Sequence, residues 1–496
     1  MRVAESDTLW RRLLPGLLAG LAGGSVYGLL GGEHQLPLVS GALVSLHPWL
    51  WLAEHALIGT VIGVGFGAFL GRLVNTAGSG LLWGEAHALL WWIAGPLTLF
   101  PLLSESQPAW TVDAARSAFP ALLAYIVGYG AVLGLAYSAF SAALADSFGR
   151  AVLRRVTPDF LLAVVIGGLA GSVGGLAFGA WMERVGFFPL VATLVGSDSP
   201  DVGRTLHFTI SVIIGTSYGV LFRLDIRGPG SSISWGLGYG LIWWVLGPLT
   251  IMPIWLGHGV QWSLTAAEGA FPSLVGHLMY GILLGLVYSL VDKSWRIFFV
   301  EADPLKREPE GPGTRSLRAL GMGVLASIAG GLAFTIVMVE TGALPVVASL
   351  IGLESAVEGF LVHMTISAII GATYGLLFRQ EAYTYGAGLA WGLVYGLIWW
   401  FVGPLTLMPI LLGAEVQWSL TLALGAYPSL IGHLAYGAIT ALVYQLLLRR
   451  YDPSFRGRGR MGRERLRTSG TPASALWALV LILGLLLPLL LSGQST

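Results

Sequence analysis

The sequence predicts an all-α integral membrane protein, and three observations predict it. The 496 residues are 55 % hydrophobic and only 11 % charged, with a mean hydropathy of +0.76, which is more apolar surface than a soluble fold buries. Apolar stretches of about 18 to 25 residues follow one another along almost the whole chain, each long enough to cross roughly 30 Å of hydrocarbon as a helix. One apolar phrase is also written three times: "ALLWWIAGPLTLFP" from Ala88, "GLIWWVLGPLTIMP" from Gly240 and "GLIWWFVGPLTLMP" from Gly396.

The repetition extends beyond that phrase. His55, His207 and His363 are spaced 152 and 156 residues apart, and so are the pairs Gly95-Pro96, Gly247-Pro248 and Gly403-Pro404. Identical spacings for separate landmarks predict three copies of a four-helix membrane repeat, at 12–149, 156–291 and 316–449. Charged linkers near 146–158 and 292–318 join them, and a basic linker at 450–472 leads to a C-terminal transmembrane helix at 473–493. Four is even, so every copy enters and leaves on the same side and the copies are parallel. Parallel copies pack around an axis along the membrane normal, and three of them predict a pseudo-threefold arrangement.

Within each copy the four spans, a to d, have their own justification. Span a begins near Leu13, Phe160 and Leu320; the first has the basic start and apolar body of a signal peptide, but its counterparts open the other two copies, so it reads as retained. Gly167, Gly171 and Gly175 lie on one helical face and favour close helix packing. After span a comes a short apolar piece, "LPLVSGALV" from Leu36, "FPLVATLVG" from Phe188 and "LPVVASLIG" from Leu344, too short to cross and read as a half-helix lying in the outer interface, with a re-entrant half-helix as the alternative. Span b starts at the matched histidine and ends at Arg72, Arg223 and Arg379, arginines that anchor at the headgroups. Span c is the thrice-written phrase. Its proline lacks an N–H and crowds the preceding turn, so the helix is expected to kink or break and to leave carbonyls that something must satisfy. Thr98, Thr250 and Thr406, two residues past the proline, can bond their own helix, and Pro101, Pro253 and Pro409 end the span. Span d opens with proline in its first turn, at Pro120, Pro272 and Pro428.

Basic residues set the orientation. With the N-terminus cytoplasmic, all 27 Lys and Arg except Arg116, Arg184 and Arg204 fall on the inner side, which predicts a multi-pass topology with the N-terminus in the cytoplasm. The tract "RRYDPSFRGRGRMGRERLR" reads as a positive-inside determinant with attraction for anionic lipid, not as a nucleic-acid binder. The absence of cysteine excludes disulfides, thiolate metal sites and thiol nucleophiles. No Gly-Lys-Ser/Thr phosphate loop, His-Glu-x-x-His helix or Gly-x-Ser-x-Gly elbow occurs, and no enzymatic activity is predicted.

Polar residues inside the spans are the functional candidates, because they are costly there and face a bundle interior or a water-filled cavity. His207, His363, His277 and His433, with Thr250 and Thr406, gather in the outer half of the second and third copies as candidate ligand-binding residues. Three readings compete. Interrupted helices offer carbonyls to ions or small polar solutes in many transporters. Histidines from neighbouring helices can ligate a metal or a tetrapyrrole. On a purely structural reading, His277 and His433 donate to the carbonyls opened by the proline. The first copy departs from the pattern: Tyr125 replaces the span-d histidine, while Glu85 and His87 stand where the others have Leu237 and Tyr239, or Leu393 and Tyr395. Those two residues suggest a proton route, set against simple interfacial snorkelling of Glu85.

The residues "HFTISVIIGTSYGVLF" from His207, "WW" at Trp243 with "IMP" from Ile251, and "GHLMYG" from Gly276 give an order of motifs that resembles the YagU-type bacterial inner-membrane family, a group without an established activity. The resemblance covers three spans per copy, about half the chain, and implies a tandem triplication of such a unit and a location, a bacterial or archaeal cytoplasmic (inner) membrane, rather than a mechanism. The expected function is passage or binding of a small ion or polar solute, by a transporter or channel open toward the outer face. The alternative is a structural or cofactor-holding subunit of a larger membrane complex. The expected partners are the lipid bilayer and that solute.

Overall fold

The computed structural model describes residues 9–31, 48–104, 106–145, 158–226, 228–299, 312–379, 381, 384–416, 418–451 and 479–491. Every regular element among them is helical. Twelve helices are long and apolar enough to span a bilayer: α1 Trp10–Gly31, α2 Trp49–Phe69, α3 Ala77–Leu103, α4 Phe119–Leu144, α5 Asp159–Val185, α6 Pro200–Phe222, α7 Pro229–Trp255, α8 Phe271–Arg296, α9 Gly313–Glu340, α10 Ala356–Phe378, α11 Tyr385–Leu411 and α12 Tyr427–Tyr451. The chain is an all-α polytopic membrane protein. Large apolar side chains point outward along the spans, as Val165, Leu169 and Leu176 do on α5, which suits contact with acyl chains. Of the expected C-terminal span, the described part contains a short apolar helix, Leu481–Leu491. The apolar piece from Leu36, almost all of the first charged linker, part of the second and almost all of the basic linker lie outside the described residues.

The chain divides into two compact units, one of Met1–Asp225, Gly236–Leu284 and Leu489–Thr496, the other of Ile226–Trp235 and Gly285–Pro488. In the first, helix pairs close on glycine. A Cβ on Gly20 of α1 would stand 2.3 Å from the Gly59 carbonyl oxygen of α2, and one on Gly171 of α5 would stand 2.5 Å from the Ser211 oxygen of α6. Helices α3 and α4 meet in the same way at Gly84 and Gly130, and α7 and α8 at Gly236 and Gly281. In the second unit α9 meets α10 at Gly323 and Gly371, and α11 meets α12 at Gly392 and Gly437. In lipid there is no hydrophobic drive to bring helices together, so backbone-close packing has to supply the attraction.

Side-chain hydrogen bonds tie each a–b pair to its d helix. Tyr280 on α8 donates to the Ser211 carbonyl on α6 at 2.6 Å, and Tyr436 on α12 donates to the Ser367 carbonyl on α10 at 2.7 Å. The second tryptophan of each double pair is a packing residue. Trp92, Trp244 and Trp400 are buried and donate to the carbonyls of Ala118, Ala270 and Ala426, just before the d helices. The half-helices Phe188–Ala192 and Leu344–Ala348 each continue into a 3₁₀ turn and lean on the start of the next span. Gly203 and Gly359 make room for them, since a Cβ there would meet the Phe188 or Leu344 carbonyl oxygen at 1.9 Å.

Carboxylates just past the second helix of a group reach the N-termini of third helices. In the first compact unit the Thr76 hydroxyl, which caps α3, donates to Asp225 at 2.7 Å; in the second, Ser231 donates to Glu381 at 2.7 Å. A carboxylate beside exposed helix N–H groups also meets the positive end of the helix dipole.

The glycine contacts make a direct prediction. Gly171→Val drives a branched side chain into the α6 backbone and should cost about 1–3 kcal/mol or more. Gly321→Ala on α9, where a Cβ has nothing within 4 Å, should leave stability unchanged or slightly raised. Thermal unfolding in lipid nanodiscs checks both; equal loss of stability in the two variants would contradict the packing argument.

Candidate functional site

The thrice-written proline does not break span c. Each helix widens instead into a π turn, at Gly95–Leu99, Gly247–Ile251 and Gly403–Leu407, and then continues. The N–H groups of Phe100, Met252 and Met408 bond the carbonyls of Gly95, Gly247 and Gly403, five residues back. The widened turn accommodates a ring and a missing donor that a tight α turn cannot.

The threonine two residues past the proline completes the turn. Thr98 donates to the Ile93 carbonyl at 2.8 Å, Thr250 to Val245 at 2.7 Å and Thr406 to Phe401 at 2.7 Å. Each hydroxyl then accepts an indole N–H at 3.0 Å, from Trp110, Trp262 and Trp418 respectively. Backbone bonds from Ala109 to Leu97 and from Gln261 to Leu249, both 2.8 Å, lace the following connection to the first two turns. Each threonine hydroxyl therefore both donates and accepts.

The four ligand candidates among the histidines fall into two kinds. His207 Nε2 bonds the Gly175 carbonyl of α5 at 2.9 Å, and His363 Nε2 bonds the Gly331 carbonyl of α9 at 3.0 Å. His277 and His433 use Nδ1 instead, bonding the Ser273 and Ser429 carbonyls of their own helices at 2.8 Å. The span-d histidines therefore do not supply the bonds the proline opens; the threonines do. A carbonyl oxygen only accepts, so each bonded nitrogen carries the hydrogen and the other nitrogen of the neutral ring holds a lone pair. Those lone pairs lie on Nδ1 of His207 and His363 and on Nε2 of His277 and His433. His277 Nε2 faces the open side of Gly247, 3.8 Å from where a Cβ would stand, and His433 Nε2 faces Gly403 at 3.7 Å. One phenylalanine separates each pair of rings: Phe178 is 5.3 Å from His207 and 4.9 Å from His277, and Phe334 is 5.2 Å from His363 and 4.6 Å from His433.

Around His207 and His277 these elements line a half-open cavity of about 970 Å³. Phe178 and Met182 line it from α5, Leu190 and Leu194 from the half-helix region, Ile210 from α6, and Trp243 and Pro248 from α7. The indole of Trp255 donates to the Leu194 carbonyl at 3.0 Å and ties the far end of α7 to that wall. The volume is that of a small-molecule site. Thr250 is buried behind the wall and does not line the space. Among the described residues no group of three His, Asp or Glu side chains is arranged to hold a metal ion.

The α1–α4 segment differs in register as well as in residue type. "FPALLAYIVGYG" from Phe119 has one residue more than "FPSLVGHLMYG" from Phe271. Helix α4 absorbs it in a π turn, Ala124–Gly130, after which Tyr129 reaches the Gly59 carbonyl at 3.3 Å, as Tyr280 reaches Ser211. The Tyr125 hydroxyl lies 3.3 Å from the Cβ position of Gly95 and is buried without a hydrogen-bond partner among the described residues. His55 bonds the Trp51 carbonyl at 2.8 Å through Nδ1. His87 accepts the Trp91 indole N–H at Nε2, 3.0 Å away, and its Nδ1 and one oxygen of Glu85 are buried without partners among the described residues. The rings of Phe66, Trp91 and Tyr129 surround His87, so it forms part of an aromatic core.

The bridging tryptophans and the phenylalanines between the imidazoles carry the site, yet they escape a reading of the sequence. Their signal was available: Trp262 and Trp418 share the motif "QWSLT", and Phe178 and Phe334 are also 156 residues apart. No protein-family profile, curated protein or solved structure matches the chain.

Removing the threonine hydroxyl tests the turn. Thr250→Val leaves the Val245 carbonyl and the Trp262 indole each short of a buried partner and should cost about 1–3 kcal/mol, while Thr250→Ser should retain most of the stability. Melting temperatures of the two variants in one detergent check this; equal values would contradict the bridging role.

Proposed function

We propose that the protein passes a small solute across a bacterial or archaeal inner membrane, as a transporter or channel, and that the cavity beside His207 and His277 is its ligand chamber. The observation that carries this reading is that cavity: a half-open site of small-molecule size between membrane-spanning helices, with His207 and His277 on its wall, each bonded to a carbonyl through one ring nitrogen. Proline turns in spanning helices next to a solute chamber are in keeping with transporter architecture. His363 and His433 repeat the same hydrogen bonds and support a second, related chamber in the third copy.

The wider frame of the proposal is a tandem triplication arranged about a pseudo-threefold axis, with the N-terminus cytoplasmic and the chambers opening outward. Recurrence of the threonine-indole bridge at all three proline turns supports the triplication. Arg116, counted on the outer side, bonds the carbonyls of Leu489 and Leu490 at 3.3 and 3.2 Å, which favours an external C-terminus. The resemblance to the YagU-type family favours the same membrane.

Osmotic swelling of proteoliposomes, measured by light scattering with potassium, ammonium, urea, glycerol and a short neutral alcohol, tests the reading. The wild-type protein is expected to speed entry of at least one solute, and His207→Ala with His277→Ala is expected to reduce that entry at least about tenfold at an unchanged melting temperature. Entry no faster than in empty liposomes for every solute, or entry unaffected by the double substitution, would remove the proposal.

A further inference from the structure

Among the described residues the wall of the cavity contains no Asp, Glu, Lys or Arg side chain, and the third histidine on it, His258, is exposed. Away from His258, a full charge of either sign would therefore sit there without a counter-charge, at a cost that apolar walls do not offset. Four of the polar side chains on the wall are already committed as donors. Tyr280 gives its hydroxyl hydrogen to the Ser211 carbonyl, and the Gln261 amide donates to the His258 carbonyl at 3.2 Å. Of the three histidines on the wall, His207 and His277 have each spent the one N–H of the neutral ring on a carbonyl, so what they have left to offer a ligand is a lone pair. The chamber is thus an apolar space with hydrogen-bond acceptors fixed by the backbone.

We infer that the occupant of this chamber is an uncharged molecule with a predominantly apolar body and one hydroxyl-type hydrogen-bond donor, held by His277 Nε2 with His207 Nδ1 as a second acceptor. The inference rests on the solute-passage reading and narrows its substrate from ions and strongly polar solutes to neutral amphiphiles. The body lies against Met182, Leu190, Leu194 and Ile210, and the donor reaches the imidazole edge that Gly247 leaves uncovered. Glycine at 247 keeps that edge open, because a larger side chain there would stand between the ring and the ligand. The first copy has Tyr125, a hydroxyl donor, at the matching place, so this acceptor is specific to the second and third copies.

Binding of four matched probes to the full-length protein in nanodiscs tests this, read by quenching of tryptophan fluorescence and corrected for partition into empty nanodiscs. The probes are 4-butylphenol, its methyl ether 4-butylanisole, 4-butylbenzyltrimethylammonium and 4-butylbenzenesulfonate. The phenol is expected to bind about tenfold more tightly than the ether, the value of one hydrogen bond, and both charged probes more weakly than either. His277→Leu with His433→Leu should bring the phenol down to the affinity of the ether while leaving ether binding in place; a purely structural role would weaken both together. Ether binding as tightly as phenol would overturn the inference and make the space an acyl-chain void. Tightest binding by a charged probe would overturn it as well. If no probe binds while an ion still crosses proteoliposomes, the inference falls and solute passage stands; if nothing binds and nothing crosses, both fall.

Discussion

In hydrocarbon every peptide carbonyl must find a donor, and the rest of this structure depends on how that constraint is met where span c contains proline. A proline in a lipid-embedded helix removes a donor where no water can replace it. The chain answers with a wider turn and a threonine hydroxyl, and that hydroxyl recruits an indole from the next connection. One missing N–H therefore fixes a loop, and the loop helps to close a chamber. The same economy sets the histidines. Each gives its hydrogen to a carbonyl, and the lone pair left over becomes the chemistry of the wall.

Close packing lets these short polar bonds form. Tyr280 reaches the Ser211 carbonyl because α5, α6 and α8 approach to backbone distance at Gly171 and Gly174. Each additional methyl group at such a crossing would separate the helices and stretch the bonds across them. Stability and site geometry thus come from the same small residues.

Much of this was legible in the residues. Apolar length gave the twelve spans, the position of Thr250 gave its bond to its own helix, and proline starts gave the half-helices at Phe188 and Leu344. The π turn was not legible, because proline alone does not say whether a helix bends, breaks or widens; the choice depends on Thr250 and Trp262, twelve residues apart. The partner of His207 was equally hidden, since Gly175 lies 32 residues away and only the helix crossing joins them. The extra residue in α4 stood in the sequence, but its consequence, a π turn that restores the register of Tyr129, is a property of packing. Glu85 and His87 drew attention as ionisable residues inside a span; His87 belongs to an aromatic cluster rather than to the chamber wall.

The central claim is that carbonyl partners fix which nitrogen of each of these four imidazoles carries the hydrogen, and so which nitrogen holds the lone pair. Solid-state nuclear magnetic resonance of ¹⁵N-histidine-labelled protein in lipid bilayers reads this directly, with single substitutions to assign each ring. The account predicts neutral rings protonated at Nε2 for His207 and His363 and at Nδ1 for His277 and His433. Finding the opposite tautomers, or imidazolium at neutral pH, would contradict it.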